Sequence, residues 1–287
     1  MVGKLDGKTA VITGATRGFG HELANAFGNA GARLVVTSRS AEAVQTTILE
    51  LSDLGFVATG MACDVAQADQ MDALASFAIE NYGGFDIWIN NAGLSAPYGP
   101  SVHIQRDEFR DVLNTNILGV YYGSMAAMQL FLPRRRGILI NITGRGDRGP
   151  QPMQNAYASS KAWMRSFTEA LAREYQDSGV GIYAFNPGMM RTDMTQKVTV
   201  IKGYEDRLGV LDTVLLILSV SPVDSAQTAV RLASTAIGGR SHVFVRQMTP
   251  MTMVSGILRE LRRRVSGHPL ETSQIQITVV PPAIELF

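Results

Sequence analysis

Thr9-Ala10-Val11-Ile12-Thr13-Gly14-Ala15-Thr16-Arg17-Gly18-Phe19-Gly20 decides the fold of this 287-residue chain. Thr9 to Ile12 make a short apolar run, and glycines follow it at once. An amphipathic pattern then begins, with Leu23, Ala24, Phe27 and Ala30 at helical spacing on one side. The sequence therefore predicts a strand, a tight turn and a helix. Glycines allow that turn, and they let a backbone approach a pyrophosphate seated at the helix N-terminus. The spacing is G-x-x-x-G-x-G, unlike the commoner dinucleotide fingerprint G-x-G-x-x-G. Alone, a glycine-rich turn is more often only a turn, so the rest of the chain has to support a ligand site.

Outward from this turn, strands and helices alternate. Apolar runs near Thr9–Thr13, Leu34–Ser38, Phe56–Met61, Ile87–Ile89, Ile138–Ile142, Gly181–Phe185 and Val243–Val245 read as strands of a buried parallel sheet. Helical patterns separate them, which predicts an α/β, Rossmann-like, doubly wound sheet of about seven strands with helices on both faces. Ligands of such sheets bind beyond the carboxyl ends of the strands. Gly14, Ser38, Asn90, Thr143 and Pro187 all fall at those ends, as one shared site requires. No repeat or linker marks a second compact domain. The expected division is a dinucleotide-binding domain over residues 1–250 and a C-terminal helix and tail over 251–287.

Composition narrows the function. A net charge of +1 gives no electrostatic reason to expect a nucleic-acid partner. The single cysteine, Cys63, excludes an intrachain disulfide and reads as a small buried hydrophobe. Met1 to Lys8 has no apolar core of a leader. The most apolar stretch, Val210 to Val220, is interrupted by Asp212 and is too short to span a bilayer. The expected compartment is the cytoplasm, and no metal-ligand spacing is present.

Tyr157-Ala158-Ser159-Ser160-Lys161 carries the chemistry. Positions four apart share one helix face. A phenol with a pKa of about 10 is a poor proton donor at neutral pH. A neighbouring ammonium favours the phenolate, so Lys161 is expected to lower the Tyr157 pKa. A phenol tuned in this way exchanges protons with a substrate oxygen.

With these residues in order, the chain resembles the short-chain dehydrogenase/reductase family from about Lys8 to about Arg246. Thr13 to Gly20 match its cofactor turn, and Asp64 follows the third strand. Asn90-Asn91-Ala92-Gly93 follow the fourth, and Asn116 lies in a long helix. Tyr157, Lys161, Pro187-Gly188 and Thr192 complete the series. The resemblance implies strand order 3-2-1-4-5-6-7, Tyr157 as general acid/base, and Lys161 on the nicotinamide ribose. It also implies Asn116 holding a water in a relay to Lys161. The cofactor set it implies is Gly14, Thr16, Arg17, Gly18, Phe19, Gly20, Ser38, Arg39, Asp64, Val65, Asn91, Ala92, Gly93, Tyr157, Lys161, Pro187, Gly188 and Thr192. Asp64 would meet the adenine amino group, or else cap the helix beginning near Gln67.

An acid after the second strand would bond the ribose 2′-hydroxyl of NAD and repel a 2′-phosphate. This chain has Thr37-Ser38-Arg39 there and Arg17 in the glycine turn. A guanidinium fork suits a phosphate, so the expected cofactor is NADP(H).

One position departs from the family. Where a catalytic Ser usually precedes the Tyr by thirteen residues, this chain has Gly144. Thr143 carries the nearest hydroxyl, but neighbouring strand residues face opposite sides. A one-residue shift in this glycine-rich turn would let Thr143 serve, or Asn155, a substrate group or a water would replace the hydroxyl. If the hydroxyl is absent, Gly144→Ser is expected to restore the arrangement and raise activity.

The resemblance implies carbonyl–alcohol interconversion on an apolar, cyclic or polyketide-like molecule. Gly144 keeps two alternatives open: non-redox chemistry such as elimination, isomerisation or cyclisation, and NADP(H) sensing. A substrate lid is expected over residues 193–221, rich in Met194, Tyr204, Leu208, Leu211, Val214, Leu215, Leu216 and Ile217, with Met189 and Met190 nearby. Met253 to Val265 reads as a basic helix. The alternating segment Gln274 to Val280 is expected to add a strand to another subunit or to fold over the site. Family members pair helices equivalent to 107–132 and 156–176. Tyr121, Met125, Met128, Trp163 and Phe167 would then line a homodimer or homotetramer contact.

Overall fold

A computed structural model describes residues 3–209, 211–235, 244–247, 258 and 275–284. Seven parallel strands form the main sheet: β1 (Thr9–Thr13), β2 (Arg33–Ser38), β3 (Ala58–Ala62), β4 (Ile87–Asn90), β5 (Gly137–Ile142), β6 (Val180–Asn186) and β8 (Phe244–Arg246). Their order is β3-β2-β1-β4-β5-β6-β8. This is the expected order, with one strand, β7 (Lys197–Ile201), displaced from the sheet.

The strands are apolar on both faces because alternate residues enter two different cores. Ile12, Leu34, Val36, Ile89 and Ile140 face α1 (Gly18–Asn29), α2 (Ala41–Asp53) and α9 (Pro222–Thr235). Val11, Val35, Trp88, Leu139 and Ile182 face α3 (Ala68–Tyr82), α5 (Gly119–Arg134) and α6 (Asn155–Glu174). Leu23, Ala24 and Phe27 of α1 are buried as their spacing predicts, and Ala30 packs against the same core. Cys63 is buried, and burial pushes its thiol up to about 11, as befits a packing residue.

Helix α4 (Arg106–Leu113) runs into α5 through a wider turn, Asn114–Leu118, where Gly119 N–H bonds the Asn114 carbonyl. That i→i+5 pairing inserts a π-bulge at Asn116. No single helix among the described residues is long and apolar enough to cross a membrane.

The region after β6 folds as α7 (Asp193–Gln196), β7, a short 3₁₀ turn (Glu205–Leu208) and α8 (Leu211–Leu218). The tail strand β9 (Gln276–Val280) pairs in parallel with β7, from Lys197↔Gln276 to Ile201↔Val280. On the other side of β7, Tyr98 N–H bonds Thr199 O at 2.8 Å and Ile201 N–H bonds Tyr98 O at 3.0 Å. Beyond β9, Ala283 N–H bonds His103 O, and His103 donates from Nδ1 to Ile284 O at 2.9 Å. Residues 276–284 thus pack against their own chain. The predicted basic helix 253–265 lies outside the described residues, Leu258 aside.

Candidate active site

The strand order reverses between β1 and β4, and the crevice opens there. Gly14 and Gly18 hold φ of 63° and 54°, which only glycine adopts without strain, and so the turn closes tightly before α1. A side chain on Gly20 would strike the Gly14 carbonyl oxygen. Asn91 fixes the turn to the end of β4, donating to Thr13 O at 3.0 Å and Gly14 O at 3.1 Å. Thr13 Oγ1 accepts from the Asn91 and Ala92 amides. Asn91 and Ala92 are therefore part of the frame of the crevice. Asn90 points into the core, where it accepts from Trp88 Nε1 and donates to Asn141.

A cleft of about 360 Å³ lies in front of the turn, lined by Thr16, Arg17, Gly18, Arg191 and Thr192 among others. The Phe19 ring is buried against Phe185, so its contribution to a ligand is backbone alone. Arg17 and Arg39 are both exposed, and neither is in an ion pair among the described residues. Ser38 closes β2 beside Arg39. Asp64 accepts from Ala66 N–H in a local turn, and α3 starts from Gln67 without a side-chain cap, so Asp64 does not cap it. Val65 packs under Gly119. Gly188, at φ 85°, turns the chain after Pro187 and brings Thr192 opposite Gly18. The cradle, the two free guanidiniums and the open cleft fit a dinucleotide.

At the ends of β4 and β5 the second group of residues meets. Lys161 is buried, and its Nζ donates to Ile142 O at 2.9 Å while lying 5.5 Å from the Tyr157 ring centre. Asn116 is fully buried. Its side chain accepts from Leu94 N–H at 2.8 Å and donates to Leu94 O and Ser160 Oγ. Gly93 sits over both: a Cβ there would be 3.5 Å from Asn116 Oδ1 and 3.7 Å from Lys161 Nζ. Asn116's side chain is thus spent on the Leu94 backbone, and any water relay has to use its backbone carbonyl.

One expectation is corrected here. Burial pushes the Tyr157 phenol up to about 12, with the Asp147 carboxylate adding to the rise, and Lys161 does not offset it. Burial also pulls Lys161 down to about 8, against the opposite pull of Asp147. The phenol is raised, not lowered, because loss of solvent disfavours the phenolate and the Asp147 carboxylate disfavours it further. A Cβ at Gly144 would stand 2.5 Å from the Tyr157 hydroxyl. A serine side chain there would therefore require the phenol to shift. Thr143 donates to Asp147 at 3.3 Å.

Asp147 itself was not singled out from sequence. It is buried and accepts from Asn186 Nδ2 at 2.6 Å and Arg246 Nη2 at 2.7 Å. A carboxylate within a glycine-rich loop looks like turn chemistry, and its partners lie 39 and 99 residues away. Only the fold brings them together.

On the substrate side, Tyr157 borders a cavity of about 10 Å³ walled by Ala96, Gly99, Ile104, Phe109, Met153 and Asn155. Of the expected lid residues, Leu208 and Leu215 are buried packing and Met194 is 46% exposed. Met190 belongs to the sheet core. Among the expected contact residues, Tyr121 is 43% exposed, and Trp163 stacks on Phe167 at 4.8 Å. Met128 is buried in the core and offers no surface, which corrects that expectation.

The fold is that of the short chain dehydrogenase family, whose profile matches residues 8–201, and the chain belongs to it. The match ends with β7, short of the Arg246 boundary read from sequence. Curated relatives are oxidoreductases. A 3beta-hydroxysteroid dehydrogenase of Eggerthella lenta is 36% identical over 194 residues, 67% of this chain and 74% of that protein. A putative ketoacyl reductase of Streptomyces coelicolor is 33% identical over 195 residues, 67% of this chain and 74% of the relative. A probable chlorophyll(ide) b reductase of Arabidopsis thaliana is 32% identical, and the match spans 68% of this chain but 43% of that longer protein. Among solved structures, an actinorhodin polyketide ketoreductase with NADPH superposes with a TM-score of 0.76 at 26% identity, covering 86% of this chain and 97% of that one.

Proposed function

We propose that this chain is an NADP(H)-dependent reductase or dehydrogenase that interconverts a carbonyl and an alcohol on an apolar, cyclic or polyketide-like molecule. The observation that carries the reading is the convergence of Tyr157, Lys161 and Gly93 at the sheet's carboxyl edge, beside a turn built for a pyrophosphate. Relatives named for steroid and ketoacyl substrates, and a neighbour holding NADPH, support it. The bound nicotinamide supplies or accepts the hydride. Gly14 to Gly20, with Thr192, hold the pyrophosphate, and Arg17 and Arg39 hold the 2′-phosphate. Asp64 and the Val65 backbone flank the adenine, while Lys161 bonds the ribose. Tyr157, protonated across the neutral range, gives its proton to the carbonyl oxygen and takes it back in oxidation. The Lys161 ammonium stabilises the phenolate this leaves. The described parts of 193–221, with β9 beside β7, cover the substrate, and the Tyr121–Phe167 face joins two copies.

Gly144 supports a second reading, a non-redox reaction or NADP(H) sensing, because no hydroxyl stands there to hold the reacting oxygen. NADPH consumption against a panel of cyclic and ketoacyl carbonyls separates the two. The first reading expects turnover that falls about 10²–10⁴-fold in Tyr157→Phe with NADPH affinity kept. Turnover absent across the panel, or indifferent to Tyr157, overturns it.

A further inference from the structure

The mechanism above makes no use of Asp147, the buried carboxylate closest to it. Burying a lone carboxylate is expensive, so such a group persists where it is paired and fully hydrogen-bonded. Asp147 meets that condition through three separate strands. Thr143 at the end of β5 donates to it at 3.3 Å, Asn186 at the end of β6 at 2.6 Å, and Arg246 on β8 at 2.7 Å. The side chain is 1% exposed, whereas that of Arg246 is 33% exposed. The carboxylate therefore lies on the inner side of the pair, towards the site.

The same bonds reach Gly144. Asn186 Nδ2 donates to Gly144 O at 3.2 Å as well as to Asp147, and Asp147 N–H bonds Gly144 O at 3.2 Å. Gly144 is the residue whose α-carbon faces the Tyr157 hydroxyl and the Lys161 stem, at 2.5 and 3.7 Å from where its Cβ would be. A chain of short contacts thus runs from Arg246 through Asp147 and Gly144 to the proton-transfer pair.

We propose that Asp147 is a positioning residue of this site: with Asn186 and Arg246 it holds the Gly144 turn against the Tyr157 hydroxyl and provides the buried countercharge of Lys161. The inference rests on the reading of Tyr157 and Lys161 as the proton-transfer pair. The charged and titratable groups around them, among the described residues, are few. Asp147 lies in the loop after β5, bonded to the Gly144 carbonyl next to the pair, and Arg246 meets Asp147 from β8. Arg148 and Arg165 lie with Arg246 around the Phe244 ring, at 5.0, 4.6 and 5.7 Å from its centre. Electrostatics agrees with the geometry, since Asp147 raises both Tyr157 and Lys161. An anion here favours the ammonium and disfavours the phenolate. It keeps Lys161 charged in spite of burial and Tyr157 protonated before the step.

A purely structural staple would tie β5, β6 and β8 together without setting either titration. The two roles part in a pair of variants with opposite charge consequences. Asp147→Asn removes the anion, and Arg246→Met leaves it in place without its outer cation. In protein labelled with [¹⁵N]lysine, the Lys161 Nζ signal is assigned by its loss in Lys161→Met. Its midpoint is expected to fall by about one pH unit in Asp147→Asn and to rise in Arg246→Met. A midpoint unmoved in both, or moved in the same direction in both, overturns the proposal. If Asp147→Asn does not fold, an upward shift in Arg246→Met supports the proposal and its absence overturns it. Turnover is not needed for this titration. A wild-type protein without Tyr157-dependent turnover would overturn the functional reading while the lysine result stood by itself. Where turnover exists, kcat in Asp147→Asn falls more than KM rises, and the pH profile moves with the lysine midpoint.

Discussion

The two ends of the crevice are built in opposite ways. At the cofactor end, Gly14, Gly18 and Gly20 lie within seven residues of sequence, and one side chain, Asn91, stitches their turn to the next strand. At the substrate end, β7 is held by Tyr98 on one side and by β9 on the other, and β9 begins 79 positions after β7 does. A glycine-built backbone turn shapes the first end, fastened by one side chain, whereas a second strand pairing shapes the other. On the proposed reading, binding the dinucleotide and enclosing the substrate are then separable.

That separation gives predictions of decreasing size. Replacing both Arg17 and Arg39 with Ala should weaken NADPH binding about a hundredfold while NADH binding changes little, because each guanidinium–phosphate contact is a charge-assisted bond. Fluorescence titration with both cofactors reads this, and equal losses would remove the assignment to the 2′-phosphate. Gly144→Ser should lower carbonyl reduction about tenfold or more, by displacing the Tyr157 hydroxyl from its place. A rise in kcat instead would mean that the phenol has room to move and that the missing hydroxyl was the limitation. With β9 acting as the proposed cover, ending the chain before it should raise KM for the carbonyl about tenfold. The NADPH Kd should stay unchanged, and a parallel loss of NADPH affinity would show the two ends to be one cooperative unit.

The smallest effect is on stability. Burial lowers Lys161 to about 8 in the folded chain, below its unfolded value. Between these two values the unfolded chain binds more protons, so wild-type stability rises with pH from about 8 towards 10. The raised Tyr157 acts in the opposite direction, its contribution being lost as pH climbs from 10 towards 12. Lys161→Met should therefore be inactive yet about 1 kcal/mol more stable near pH 7, net of one lost hydrogen bond, and its stability should not rise from pH 8 to 10. Thermal melts across that range test it, and a less stable Lys161→Met protein would contradict the buried-charge account.

What was legible in the sequence follows the same divide. Alternating apolar strand residues such as Ile12 and Val11 announce a sheet covered on both faces, and the glycine turn announces its ligand edge. The Tyr157–Lys161 pair is legible because four-residue spacing on a helix is local. The direction of the Tyr157 shift was not, since it depends on how completely the site is buried. Asp147 was missed because its meaning lies in Asn186 and Arg246. The β7–β9 pairing was half visible: alternation in Gln274 to Val280 predicted a strand, but no local signal names its neighbour. Met128 was misread as surface because helix α5 is apolar on nearly every side, so spacing alone could not tell its core face from its outer one.

The tail strand has one more consequence. Among the described residues β9 pairs with β7 alone, and Ile277 and Val279 are 45% and 48% exposed. A strand edge carrying exposed β-branched residues is a ready template for pairing with another chain. During expression or concentration this edge is where association should begin. Val279→Lys, which adds a charge to an already solvated side, should raise the concentration at which the protein stays dispersed without loosening the cover that β9 provides.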